Sequence, residues 1–69
     1  MGGITMFKEY RKLRGYTQEQ LAELVEISWR QLNRIENETS IPTLETFKKL
    51  IDVLKIKDKD IIEYLKIKK

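Results

Sequence analysis

Apolar residues recur along this chain at spacings of three and four, the period of an amphipathic helix. The strict alternation of a half-buried strand is missing. Phe7, Tyr10 and Leu13, with Arg11 and Arg14 beside them, predict a first helix that ends near Gly15. Thr17 opens a second. Thr17-Gln18-Glu19-Gln20 spells a capping box, in which the Thr hydroxyl accepts an amide of the first turn while the Gln side chain reaches back. Tyr16 and Leu21 occupy the staple positions around it. Leu21, Ala22, Leu24 and Val25 form the inward face, and the helix stops near Glu26. The device then repeats: Ser28-Trp29-Arg30-Gln31 is a second box, with Ile27 and Leu32 as its staple. Leu32 and Ile35 face inward on this third helix, and Asn37 ends it in the left-handed conformation. Residues 38–42 form a loop. Thr43 caps a fourth helix with Leu44, Phe47, Leu50, Ile51 and Leu54 inward, and Asp58 starts a short fifth over residues 58–66.

Two short helices, each capped and stapled and parted by two or three residues, make a helix-turn-helix candidate. The small Ala22 suits their close crossing. At about 100° per residue, Leu32 and Ile35 define the buried side of the third helix. Arg30 and Arg34 then point almost directly away from the core. Trp29 and Asn33 fall on one flank, Gln31 on the other. Such a face suits base edges: Arg for guanine, Asn or Gln for adenine, an apolar ring for a thymine methyl.

Arg11, Gly15, Thr17-Gln18, Leu21-Ala22, Ile27-Ser28, Ile35-Glu36-Asn37, Pro42 and Leu54 stand at a joint spacing. By them, residues 11–56 resemble the Cro/cI-type (Xre-type) phage-repressor family. The resemblance implies an all-α, five-helix, lambda-repressor-like domain, with helices 2 and 3 as the helix-turn-helix. It implies binding to operator DNA, usually as a dimer, and control of transcription. Carried over by residue, Trp29, Arg30 and Arg34 fall where bases are commonly read, and the outward geometry adds Asn33. Gln18, Ser28, Gln31 and Asn37 are the expected phosphate contacts, with the amides around Thr43 and Leu44. Arg11 and Glu36 fall where related repressors tie helix 1 to helix 3 by a buried ion pair. Three positions depart from the family's pattern. Glu26 replaces a preferred Gly, and a left-handed backbone costs a residue with a side chain about 1–2 kcal/mol. Glu38 sits in a loop position that is often Gly or basic, and Trp29 is bulky where small polar residues are common. Three residues keep two readings. Trp29 touches DNA or packs on helix 2; Gln18 holds a phosphate or is simply a good first-turn residue; Asn37 touches a phosphate or only ends its helix.

Composition narrows the classes. Sixty-nine residues make one domain. With no Cys and no His, there is no disulfide, no thiolate metal site and no imidazole base. Together with the lack of a glycine-rich phosphate loop or a cluster of metal ligands, this argues against an enzyme and against any metal or cofactor. At 41% hydrophobic and 36% charged, the chain is too apolar for disorder and too charged for a membrane span. MGGITM lacks the layout of a signal peptide. We therefore expect a cytoplasmic protein with no membrane and no small-molecule ligand. The Ile- and Lys-rich, Ala-poor composition points to an AT-rich bacterial or phage genome.

The net charge of +3 is unevenly spread. Residues 1–16 are basic through Lys8, Arg11, Lys12 and Arg14. Residues 17–47 are acidic, with six Glu against Arg30 and Arg34. Residues 48–69 are basic again through eight Lys. The Lys-rich end (Lys55, Lys57, Lys59, Lys66, Lys68, Lys69) reads as solubility and long-range attraction. The acidic middle disfavours a polyanion, so binding to random DNA should be weak and specific contacts should carry selectivity. Ile61, Ile62, Tyr64, Leu65 and Ile67 exceed what one short helix buries alone. Some of them are expected to complete the monomer core and some to form a homodimer seam, for which Ile61, Ile62, Tyr64 and Leu65 are the candidates. The leading expectation is a repressor bound to double-stranded DNA as a homodimer. The competing one is a protein-interaction module of the same fold, antitoxin-like or a co-regulator.

Overall fold

The computed structural model describes residues 6–37 and 39–68, with side chains through residue 66. Glu38, Lys69 and the side chains of Ile67 and Lys68 lie outside the described residues. Five helices follow in order: α1 Met6–Arg14, α2 Gln18–Leu24, α3 Trp29–Glu36, α4 Leu44–Leu54 and α5 Asp58–Lys68. The last is longer than residues 58–66. Among the described residues there is no strand, and no helix is long and apolar enough to cross a membrane.

Local chemistry sets most of the boundaries. Thr17 accepts the Gln20 amide, and the Gln20 side chain returns to the Thr17 amide, so the first capping box is complete. The second is half made. The Ser28 hydroxyl accepts the Gln31 amide, but among the described residues the Gln31 side chain makes no return bond. Thr43 caps α4 through the Thr46 amide.

Three helices end in one device, an amide reaching back five residues across a left-handed residue. Tyr16 N–H bonds the Arg11 carbonyl across Gly15 (φ 82°), where glycine makes the turn free of strain. Ile27 N–H bonds the Ala22 carbonyl across Glu26 (φ 62°), and Ile56 N–H bonds the Ile51 carbonyl across Lys55 (φ 53°). The last two carry side chains in a strained conformation. Glu26 has a solvent-exposed partner, since Lys49 Nζ of α4 lies 2.6 Å from its carboxylate. That bond holds the Glu26 carboxyl below its ordinary pKa and raises that of Lys49. Asn37 corrects the expectation of a left-handed terminator: its φ and ψ are −92° and 4°. Instead Thr39 closes α3, its amide and hydroxyl both donating to the Arg34 carbonyl.

Leu21, Val25, Leu32, Leu50 and Leu54 are fully buried at the centre, and Phe7, Ala22, Ile35, Ile56 and Tyr64 close around them. Tyr16, Ile27, Phe47 and Ile51 pack against this core from its edge. Phe7, Phe47 and Tyr64 form an aromatic trio with centroids 5.1–6.1 Å apart, two contacts edge-on and one stacked. The trio joins α1, α4 and α5. Polar ties reinforce it. The Tyr10 hydroxyl donates to Asp60 at 2.5 Å and accepts from the Lys57 amide. Arg14 donates to the Leu54 and Lys55 carbonyls, so α1 caps the C-terminus of α4.

Helix geometry accounts for the exposure of Leu13 and for the failure of three inward or seam expectations, at Leu24, Leu44 and Tyr64. Leu13 is exposed, because it lies about 120° round the helix from Phe7. Leu24 lies about 60° from Leu21, on the side away from Ala22 and Val25, and is half exposed. Leu44 is 70% exposed. As the first residue of α4, its side chain leans off the helix end. Tyr64 is only 5% exposed, since it sits about 200° from Ile62 on the inner side of α5. It is a core residue and cannot belong to a dimer seam.

Candidate nucleic-acid interface

The position of α3 follows from α2. Both helices bury an apolar face in the same core, Leu21, Ala22 and Val25 from one side of the turn and Leu32 and Ile35 from the other. The outer face of α3 is left to solvent. Arg30, Gln31 and Arg34 are exposed on it, with Ser28 before the helix and Asn37 after it. Among the described residues, the guanidinium groups of Arg30 and Arg34 have no hydrogen bond or ion pair. They stand one turn apart and free to bind. Thr43 and Leu44, at the start of α4, are also exposed.

A buried polar network fixes the flank of this face. Arg11 Nε lies 2.7 Å from Glu36 Oε2, and Nη2 lies 3.2 Å from Oε1. The two side chains are 11% and 1% exposed, so the fork-shaped pair is almost wholly out of water. Arg11 also donates to the Tyr16 carbonyl. One guanidinium therefore ties α1 to α3 and to the chain entering α2. Glu36 accepts a third bond, from Gln18 Nε2 at 2.9 Å.

That third bond settles which way the Gln18 amide faces. A carboxylate engaged with arginine can only accept, so Gln18 must turn its NH2 end toward Glu36. Its other hydrogen goes to Asn33 Oδ1. Its oxygen then faces the indole and accepts from Trp29 Nε1 at 3.1 Å. Asn33 Oδ1 accepts a second bond, from Asn37 Nδ2. Every donor and acceptor end of the Gln18 amide is thus engaged inside the protein. The expectation of a side chain free to hold a phosphate does not fit this arrangement. Trp29 does bond to helix 2, through its N–H, yet the side chain remains 49% exposed beside Arg30.

The outward face is consequently one of donors: two free guanidiniums and the amide NH2 of Asn33, with Gln31 on the far flank. Glu36 is sequestered by Arg11, Glu26 and Glu45 lie near Lys49, and Glu19 and Glu23 are exposed on α2. A shallow groove of about 360 Å³ lies beside them, lined by Gly15, Tyr16, Gln20, Glu23 and Leu24. The sequence patterns did not point to the Arg14 cap, the Tyr10–Asp60 bond or the Lys49–Glu26 bridge. Their partners lie 40, 50 and 23 residues away, and no spacing rule links such positions.

A family model described as helix-turn-helix matches residues 7–61, which takes in α1 to α4 and the start of α5. No curated protein and no solved structure matches the chain.

Proposed function

Because this chain belongs to the Cro/cI-type helix-turn-helix family and is a DNA-binding protein, we propose that it is a transcriptional repressor. In this proposal it binds an inverted-repeat operator as a homodimer. The observation that carries the reading is the pair of exposed guanidiniums at Arg30 and Arg34 on the outer face of α3, which have no partner among the described residues. Arg presents two donors in a fork that fits guanine O6 and N7. Asn33 keeps its NH2 for a neighbouring base edge. Ser28, Gln31 and Asn37 border this face and would hold backbone phosphates. The first-turn amides of α2, at Gln18, and of α4, around Thr43 and Leu44, would hold others.

Ile62 and Leu65, 54% and 50% exposed, with Ile61 at their edge, are the proposed dimer seam. An antiparallel pairing of α5 centred on Ile62 would set Asp58 opposite the partner's Lys66. Each α3 would then enter successive major grooves, with half-site centres about 34 Å apart. The test is selection of duplexes from a random pool by the purified protein at moderate salt. An enriched inverted repeat with half-sites about one helical turn apart is expected. No enrichment would overturn the proposal.

A second reading has one observation in its favour. Leu24 and the acidic Glu23 line a groove that the α3 face does not use. That surface suits a protein partner, as in an antitoxin or co-regulator, and both roles can coexist in one chain.

A further inference from the structure

Trp29 stands at the first position of α3, half exposed beside Arg30. Indole has a single hydrogen-bonding group, its N–H, and no acceptor. Here that N–H is already given to Gln18 Oε1. Gln18 cannot turn away, because its NH2 end is held by the buried Glu36 carboxylate and by Asn33. Glu36 is held in turn by Arg11. The chain of bonds runs from a buried ion pair to an indole on the DNA-facing side. What the indole can offer outward is carbon-bound hydrogen and π surface alone.

We infer that Trp29 is a specificity-determining residue that reads a pyrimidine 5-methyl group in the major groove by apolar contact, without a hydrogen bond. The inference rests on the operator-binding reading and deepens it. Of the four bases only thymine carries such a methyl. Its neighbours Arg30 and Arg34 read acceptors, so Trp29 supplies the apolar recognition that they cannot. Since no hydrogen bond is involved, 5-methylcytosine satisfies the same contact as thymine. Each half-site then contains one position recognised by its methyl group and indifferent to the rest of the pyrimidine edge.

The experiment takes the selected operator and replaces each thymine by deoxyuridine, one position at a time, measuring affinity for the wild-type protein. One position per half-site should lose about fourfold, the effect of one buried methyl. A cytosine placed there should bind about fourfold more weakly than 5-methylcytosine. Trp29→Ala, shown folded by circular dichroism, should bind more weakly overall and be indifferent to both changes. A wild-type protein with no uracil-sensitive position, or with no gain from 5-methylcytosine, would overturn the inference and leave operator binding intact. Sensitivity that persists in Trp29→Ala would also overturn it. Failure to select any operator would remove the DNA reading, and this inference with it.

Discussion

Arg11→Ala tests the network on which the interface is built. The wild-type guanidinium makes two bonds to Glu36 and one to the Tyr16 carbonyl. Its removal leaves a carboxylate only 1% exposed, with Gln18 Nε2 as its remaining donor. One neutral amide cannot replace the solvation of a buried charge, and breaking such a pair typically costs about 3–5 kcal/mol. A domain of this length has roughly 3–10 kcal/mol in total, so a third or more of its stability would go. In a thermal melt the fall should be roughly 12–40 °C. Urea and heat melts followed by far-UV circular dichroism would measure it. A loss below about 1 kcal/mol would refute the reasoning, since that is the size expected of a solvated pair. The double substitution Arg11→Met, Glu36→Leu separates burial from pairing. It removes both charges, so much of the loss should return. Lys49→Ala is the surface control: its bridge to Glu26 is solvated, and the melt should barely move.

Other outcomes follow from single contacts. Arg34→Ala should weaken operator binding by about 1–3 kcal/mol and relax the preference at one base pair, read by competition between operator variants. Glu26→Gly should raise the melting temperature, because glycine accepts φ 62° freely and the lost bridge is exposed. A fall would mean that the Lys49 bridge outweighs the strain. The Tyr10 hydroxyl is held protonated, chiefly by its bond to Asp60, so its pKa lies above the ordinary value near 10. Its stabilising contribution is complete below pH of about 10 and is lost as pH rises through the raised folded value. Tyr10→Phe should lower stability at neutral pH and remove this alkaline slope, measured by urea melts between pH 8 and about 11.

The elements of this domain were legible in the sequence because their determinants are local. Caps, staples and left-handed stops act over three to five residues, and Thr17, Ser28, Gly15 and Thr43 each sit where a helix begins or ends. The orientation of α3 was equally legible, since Leu32 and Ile35 face the core and turn Arg30 and Arg34 outward. Packing between elements was not. The apolar spacing could not say that Leu13, Leu24 and Leu44 lie where no other helix covers them, or that Tyr64 completes an aromatic trio with Phe7 and Phe47. Nor could it choose between the two readings of Trp29. What the fold adds is that the Trp29 N–H is given to Gln18, whose amide is oriented by the buried Glu36 eighteen residues further on, while the indole stays half exposed. Short-range bonding along the chain determines where helices start and stop. Only the meeting of distant side chains in a shared, water-excluding interior determines which polar groups are left free on the surface.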